Sequence, residues 1–534
     1  MKFSGKAVFE LSKELPPEAR GLIESVVEYL NRDYLKRGCG KDPSQGAEVV
    51  EWGFSGRELW MVFRCGKRVR IDDAVLRTRK VLSEKLGREL RVGVRGVRLV
   101  DCSIELDTEI RVSLRLPFVK SVERVDGKTV IRLGGLELGD LKKPVFVRLL
   151  RLIEEKEARA KWGGKAEHWQ LLKESGRKKL TPPPEDPNRI LEEAGWIRRL
   201  SIGQYLYTPP FTRILNALRR AFIEEVVKPL GFVEAVFPKM YPLRVGLKTG
   251  HLKGVINSML FASLPKSYNI EEFEELIDYM YVMDDLPPEE LQKYLRPPSY
   301  FLCFAQCEPF YWFFENEVLD DDSLPIKWYD ASGPSFRWEA GGLHGVERVI
   351  EFHRIEVVWL GKPQQVIEIR NQLLQRYEHL MDRVLDMEWR WAWVTPWFYE
   401  QSGVAEEKLE LDIDRPGTID FEAYLPHRGP REDRKSWLEI GNISIHGTKF
   451  TEPFRIRHNK GETLWTGCSG FGSERWAIAF IAQHGFDPKN WPEQFLKYFE
   501  EEPMPKSVRG VTYPKTQRGK ELLQWLEKLF ARGS

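Results

Sequence analysis

No apolar run in this 534-residue sequence approaches the roughly 18–20 residues that a membrane-spanning helix needs. The opening Met1-Lys2-Phe3-Ser4-Gly5-Lys6 has no apolar signal core behind it, so the chain is expected to work in the cytoplasm without a membrane. Cysteine is scarce: Cys39, Cys65, Cys102, Cys303, Cys307 and Cys468 are the full set, and no two form a CxxC pair. In a reducing cytoplasm disulfides are not expected, the spacing gives no support to a zinc finger, and any metal site must draw its ligands from distant segments. Cys39, Cys65 and Cys102 read as buried apolar thiols. A dominant charge is missing too, because 82 Lys+Arg stand against 80 Asp+Glu. Any nucleic-acid footprint must therefore be local. Internal repeats, low-complexity tracts, heptad runs and the GK[ST] of a P-loop are all absent.

What is present is a globular profile, 42% hydrophobic and 30% charged, on a chain too long for one ordinary core. Residues 1–155 form one compositional block. A helix is predicted near Pro17–Leu35 and another over Ile71–Leu86. Strands are predicted at Glu58–Phe63, Arg91–Val100 and Ile110–Leu116, and at Ser121–Val125 and Lys128–Leu133, which flank the tight-turn signal Asp126-Gly127. Arg91, Arg95, Arg98, Arg111 and Arg115 fall on outward positions of this antiparallel sheet, either as a solvated face or as a phosphate-contacting platform. Residues 156–187 are charged and end in the extended Pro182-Pro183-Pro184, which places a linker there. A second domain is expected over 188–534, with an acidic two-helix insertion at about 266–297.

Three segments of that second domain carry chemistry. The first is a helix, Thr212–Val227, leading through Gly231 into a strand that stops at Pro238. The second is a hairpin, Phe336-Arg337-Trp338-Glu339, the turn Ala340–Glu347, then Arg348–Glu356. Strand period puts residues 337 and 339 on one face, and 348, 350, 352, 354 and 356 on another: an aromatic among two arginines and a glutamate. Such a buried face needs charged partners. The third, Gly467–Arg475, reads as a glycine-rich turn opening a buried helix with an arginine in its first turn, a setting that favours phosphate.

In this order the three segments resemble the signature motifs of class II aminoacyl-tRNA synthetases. Ala305–Phe313, Trp437–Ser444 and Cys468 narrow the resemblance to the atypical, zinc-dependent, methanogen-type seryl-tRNA synthetases. That family implies an α+β fold, with a six- or seven-stranded antiparallel sheet flanked by helices. It also implies an N-terminal α+β antiparallel-sheet domain that binds tRNA, and a homodimer built on the first motif. The implied reaction activates L-serine with ATP and transfers it to tRNA(Ser), with tRNA(Sec) as a further acceptor. A carboxylate is already a nucleophile, so what this chemistry needs is positioning and cations along the phosphates.

The resemblance also assigns roles. Arg337 binds the α-phosphate and the serine carboxylate, and Glu339 reads the adenine amino group. Phe352 stacks under adenine and Arg475 closes over it towards the γ-phosphate, while Trp338, Arg348 and Val349 complete the ATP set. Glu439 holds Mg²⁺, and Cys307, Glu356 and Cys468 hold Zn²⁺ with one tetrahedral position open for the serine amino group. Ala305, Arg354, Trp397, Gln401, Asn442 and Ser444 join Arg337 and Glu356 around serine, and Cys303 is a spare thiol. Two other readings remain at this point: an amino acid:carrier-protein ligase with the same core, and a non-catalytic tRNA-binding paralogue.

Overall fold

A computed structural model describes residues 1–110, 114–161, 169–338, 344–394, 413–499, 514 and 516–531. The chain divides into two units, Met1–Ala166 and Glu167–Ser534.

In the first unit Asp126 and Gly127 both take positive φ, 49° and 73°, which lets strands Val119–Val125 and Lys128–Leu133 pair through a two-residue turn. These are two of seven strands in an antiparallel sheet, among the described residues, with Lys2–Leu11 at its centre between Glu58–Cys65 and Val94–Leu106. The sequence reading has no strand at 2–11. Its covered positions include Gly5 and Ala7, weak strand formers, and a Cβ at Gly5 would meet the Asp101 carbonyl at 2.4 Å. Helices Ala19–Tyr29 and Ile71–Leu90 bury Ile23, Val26, Val75, Leu82 and Leu86 in the core. Cys39, Cys65 and Cys102 are buried thiols.

Two expectations change here. Arg91 is not on a strand: it ends helix Ile71–Leu90 in the left-handed conformation (φ 53°), and the strand begins at Val94. Residues 110 and 114–116 are not strand either, and Arg111 lies outside the described residues. Arg98 is clasped by Glu10 and Glu58, each at 3.0 Å, so it belongs to an ion-paired solvated face. Arg91, Arg95 and Arg115 are exposed, and among the described residues none has a carboxylate within 4.0 Å.

In the second unit, nine strands form one sheet among the described residues, more than the six or seven implied by the resemblance. Along its main path Val233–Glu234 is followed by Ile326–Asp330, Glu351–Gly361, Trp465–Gly472, Trp437–Gly447, Gly417–Tyr424, Trp389–Val394 and Trp169–Glu174. Every pair is antiparallel except the first. The final strand lies within the stretch read as a linker. It is an edge strand with most side chains in solvent, so its sequence carries no apolar alternation to announce it. Helix Pro209–Phe222 buries Phe211, Ile214, Leu218 and Phe222, spaced as one helical stripe. It continues through Ile223–Val227 and Lys228–Leu230 to Gly231 at φ 72°, which turns the chain into Val233–Glu234. Residues 274–283 and 288–294 form two short helices closed by a bridge between Pro265 and Leu295.

Candidate active site

Strand Glu351–Gly361 lies between Ile326–Asp330 and Trp465–Gly472, and its period of two puts Phe352, Arg354 and Glu356 on one face. Positions 348 and 350 precede the strand, so the shared face is shorter than the alternation suggests. The hairpin partner is Pro334–Phe336, paired with Glu351–His353. Just beyond it Arg337 is fixed: its backbone N–H donates to the Ile350 carbonyl at 2.8 Å, and its guanidinium lies 4.7 Å from the centre of the Phe304 ring. Arg337, Val349, Phe352, Arg354, Glu439, Asn442 and Arg475 line one cleft. Seven residues chosen from the sequence thus converge on one surface. Arg475 donates to the carbonyls of Glu347 (3.0 Å) and Glu439 (3.1 Å), and sits 3.4 Å from the Glu439 carboxylate.

The glycines of the third segment do a different job from the one expected. Gly467, Gly470 and Gly472 lie inside strand Trp465–Gly472 rather than in a turn. A Cβ at Gly470 would strike the Arg354 guanidinium at 2.2 Å, and one at Gly467 would strike Trp359 at 2.3 Å. Glycine is needed so that Arg354 can lie flat across the sheet. Helix Ser473–His484 opens directly afterwards with Arg475 in its first turn.

Behind Arg354 lie Cys307, Glu356 and Cys468, all buried, with ligand atoms within 4.8 Å of one another. Cys307 comes from the cap of helix Glu308–Phe313, while Glu356 and Cys468 come from neighbouring strands. Arg354 Nε is 2.6 Å from Glu356 Oε2, yet neither carboxylate oxygen has a well-directed hydrogen bond. Burial pushes the Glu356 carboxyl up, against the pull of Arg354. The neighbouring Cys307 and burial push the Cys468 thiol well above its ordinary value. One carboxylate and two thiols buried this close together make a soft, anionic donor set that a divalent cation would complete. This donor set fits zinc. Cys303 stays apart: it faces Ser335 Oγ at 3.6 Å, and burial raises its thiol to about 11.

Other candidates lie outside the cleft lining. Arg348 is exposed at the turn, bridged through its backbone to His344, and Trp338 is 36% exposed. Ala305 is half-buried in the turn before helix Glu308–Phe313. Ser444 is buried beside Cys468 in register and bonded to Thr418 Oγ1 at 2.8 Å. Glu339, Trp397 and Gln401 lie outside the described residues.

Three residues escaped the sequence reading. Glu474 accepts from the His353 N–H at 2.9 Å and pairs with His353 Nδ1 at 2.7 Å, a hydrogen bond that raises the imidazole pKa. This holds His353 on the face away from Glu356. Glu347 lines the cleft with its side chain buried, gripped by Arg428 and by His344. His446 lies beside Cys468, and burial lowers its pKa to about 3, so it is neutral. Glu474 had a local signal, as a carboxylate in a helix first turn next to Arg475. Glu347 depends on the distant Arg428 as well as the nearby His344, and His446 on the distant Cys468, so neither stood out in the sequence.

An antiparallel sheet carrying this cleft, with arginines from the hairpin and from the helix after the glycine strand, defines a class II aminoacyl-tRNA synthetase. Residues 292–484 match the tRNA synthetase class II core domain (G, H, P, S and T), and residues 1–155 match a tRNA-binding domain. The chain is 40% identical to the type-2 serine--tRNA ligase of Methanococcoides burtonii, over 95% of this chain and 99% of that protein. It is 38% identical to the enzyme of the same name from Methanothrix thermoacetophila, over 94% and 99%. A crystal structure of M. kandleri SerRS in complex with A. aeolicus tRNASec superposes with a TM-score of 0.82 at 32% identity, covering 96% of this chain and 99% of that one. The chain belongs to the type-2 serine--tRNA ligases.

Proposed function

We propose that the protein condenses L-serine with ATP to seryl-adenylate, releasing pyrophosphate, and then transfers serine to the 3′ end of tRNA(Ser), releasing AMP. The observation that carries this reading is the junction at Arg354, which lines the cleft and also touches Glu356 of the Cys307–Glu356–Cys468 group. The phosphate arginines and the amino-acid end of the site are therefore contiguous. Arg337 holds the serine carboxylate against the α-phosphorus and takes up charge there, so proximity and a fixed cation do the work. Phe352 supports adenine, and Arg475 leaves its Glu347 and Glu439 contacts to meet the outer phosphates. Glu439, half in solvent, is the Mg²⁺ ligand. Cys307, Glu356 and Cys468 would hold zinc, which when bound offers one open coordination position for the serine amino group. Any amino acid has that amine, so the hydroxyl is selected by Asn442 or Ser444, with Trp397 and Gln401 next to serine and Glu339 reading the adenine amino group.

Pyrophosphate exchange across the amino acids tests this: serine alone should support rapid exchange. Exchange with another amino acid, or with none, would refute it. Transfer to a phosphopantetheine carrier instead of tRNA would favour the carrier ligase, although the full-length match with its N-terminal domain argues for tRNA.

Residues 1–155 are the proposed tRNA platform, with tRNA(Sec) as a second acceptor, since the related SerRS was crystallised with tRNASec. Arg95→Glu or Arg115→Glu should weaken aminoacylation but leave exchange unchanged. Arg98→Glu should do less to tRNA binding, because Glu10 and Glu58 already neutralise it. Binding should fall with salt at a log–log slope of roughly −0.7 to −0.9 per phosphate contact. Equal salt slopes in wild type and the Arg95 and Arg115 variants would place the footprint elsewhere.

Strand Val233–Glu234 and the extension after it leave Val233 and Val236 63% and 78% exposed, an apolar edge suited to a two-fold partner. A homodimer should persist in sedimentation at micromolar concentration, and a stable monomer there would contradict it.

A further inference from the structure

His446 is buried on strand Trp437–Gly447, beside strand Trp465–Gly472, which carries Cys468. Its Nε2 is 3.5 Å from Cys468 Sγ. On the other side of the ring, Nδ1 is 3.0 Å from Thr466 Oγ1 and 3.4 Å from Tyr311 Oη. Phe450 packs against the ring at 4.8 Å between centroids and 69° between planes, which limits its rotation. The ring is thus held by neighbours at both nitrogens and on one side. His446 is not one of the three residues whose ligand atoms cluster within 4.8 Å, so it stands outside the coordinating group.

The chemistry of the partners sets the tautomer. A metal-bound thiolate can only accept, so Nε2 must carry the hydrogen. The single lone pair is then on Nδ1, where the nearer Thr466 hydroxyl can donate at 3.0 Å. Two thiolates and a carboxylate bring three negative charges to a divalent ion. A neutral donor aimed at one sulfur spreads that charge without adding another.

Resting on the reading of Cys307, Glu356 and Cys468 as the zinc ligands, we propose that His446 is a positioning residue whose Nε2–H donates to the Cys468 thiolate, fixing its side chain and tightening the metal site. Supporting partners of this kind govern metal affinity without touching the metal.

The test compares His446→Phe, which keeps a ring but has no donor, with His446→Gln, whose amide can donate near the position of Nε2. Zinc affinity of the full chain is read by chelator competition. In the cobalt(II)-substituted chain the thiolate-to-cobalt charge-transfer band reports the sulfur directly. His446→Phe should weaken zinc binding by about 10–100-fold and move the band to lower energy, while His446→Gln stays close to wild type. The proposal falls if His446→Phe binds zinc like wild type with an unmoved band. It falls equally if His446→Gln loses as much affinity as His446→Phe, since packing alone would then explain the loss. Wild-type protein that takes up no zinc, with Cys468→Ser indistinguishable from it, would instead overturn the metal reading itself.

Discussion

If Cys307, Glu356 and Cys468 hold zinc as proposed, Cys307→Ser and Cys468→Ser should each abolish zinc binding and, with it, serine-dependent pyrophosphate exchange. The three ligand atoms come from a helix cap and two adjacent strands, and among the described residues no fourth ligand atom joins them within 4.8 Å of all three. A serine hydroxyl stays protonated where a thiol would ionise onto the metal, so the substitution removes a ligand while barely changing volume. Without the metal, Glu356 would keep only its contact with Arg354, and the remaining cysteine would be an ordinary buried thiol. Cys303→Ser is the control: its sulfur faces Ser335, and both metal content and exchange should survive. Metal analysis per chain, together with exchange kinetics, decides the matter. Full zinc and full activity in both variants would remove the site from the mechanism.

Arg337→Ala should lower the rate of adenylate formation by about 10²–10³-fold, the scale for deleting one fixed donor to developing charge. The side chain is preorganised by its stack on Phe304 and by the backbone bond to Ile350, so no reorganisation is needed as charge builds. Arg337→Lys should recover only part of the rate, because a lysine keeps the charge but loses the planar fork that spans a carboxylate and a phosphate. Single-turnover measurement of pyrophosphate release separates this effect from serine binding. Near wild-type release in Arg337→Ala would show that the hairpin was misassigned.

Much of this was legible in the chain itself, for identifiable reasons. The two-residue strand period alone put Phe352, Arg354 and Glu356 on one face. Asp126-Gly127 specified its own turn, because few other pairs accept positive φ twice. The helix, glycine and short strand around Gly231 were likewise local events. Local logic failed where neighbours in space set the conformation. Gly467 and Gly470 look like a turn until Trp359 and Arg354 are seen to occupy the space their side chains would need. The central strand Lys2–Leu11 is held by partners on both sides despite its weak propensity, and Trp169–Glu174 is a strand only because Trp389–Val394 offers it an edge.

The sequence by itself determined which residue types were available and which of them shared a strand face, since both follow from composition and backbone period. Only the tertiary structure decided that Arg354 joins the cleft to Glu356, that Arg98 is neutralised by Glu10 and Glu58, and that His446 lies against Cys468. Contacts of this kind depend on strand register between segments far apart in the chain, and register is fixed by the packing of the whole sheet rather than by any one strand.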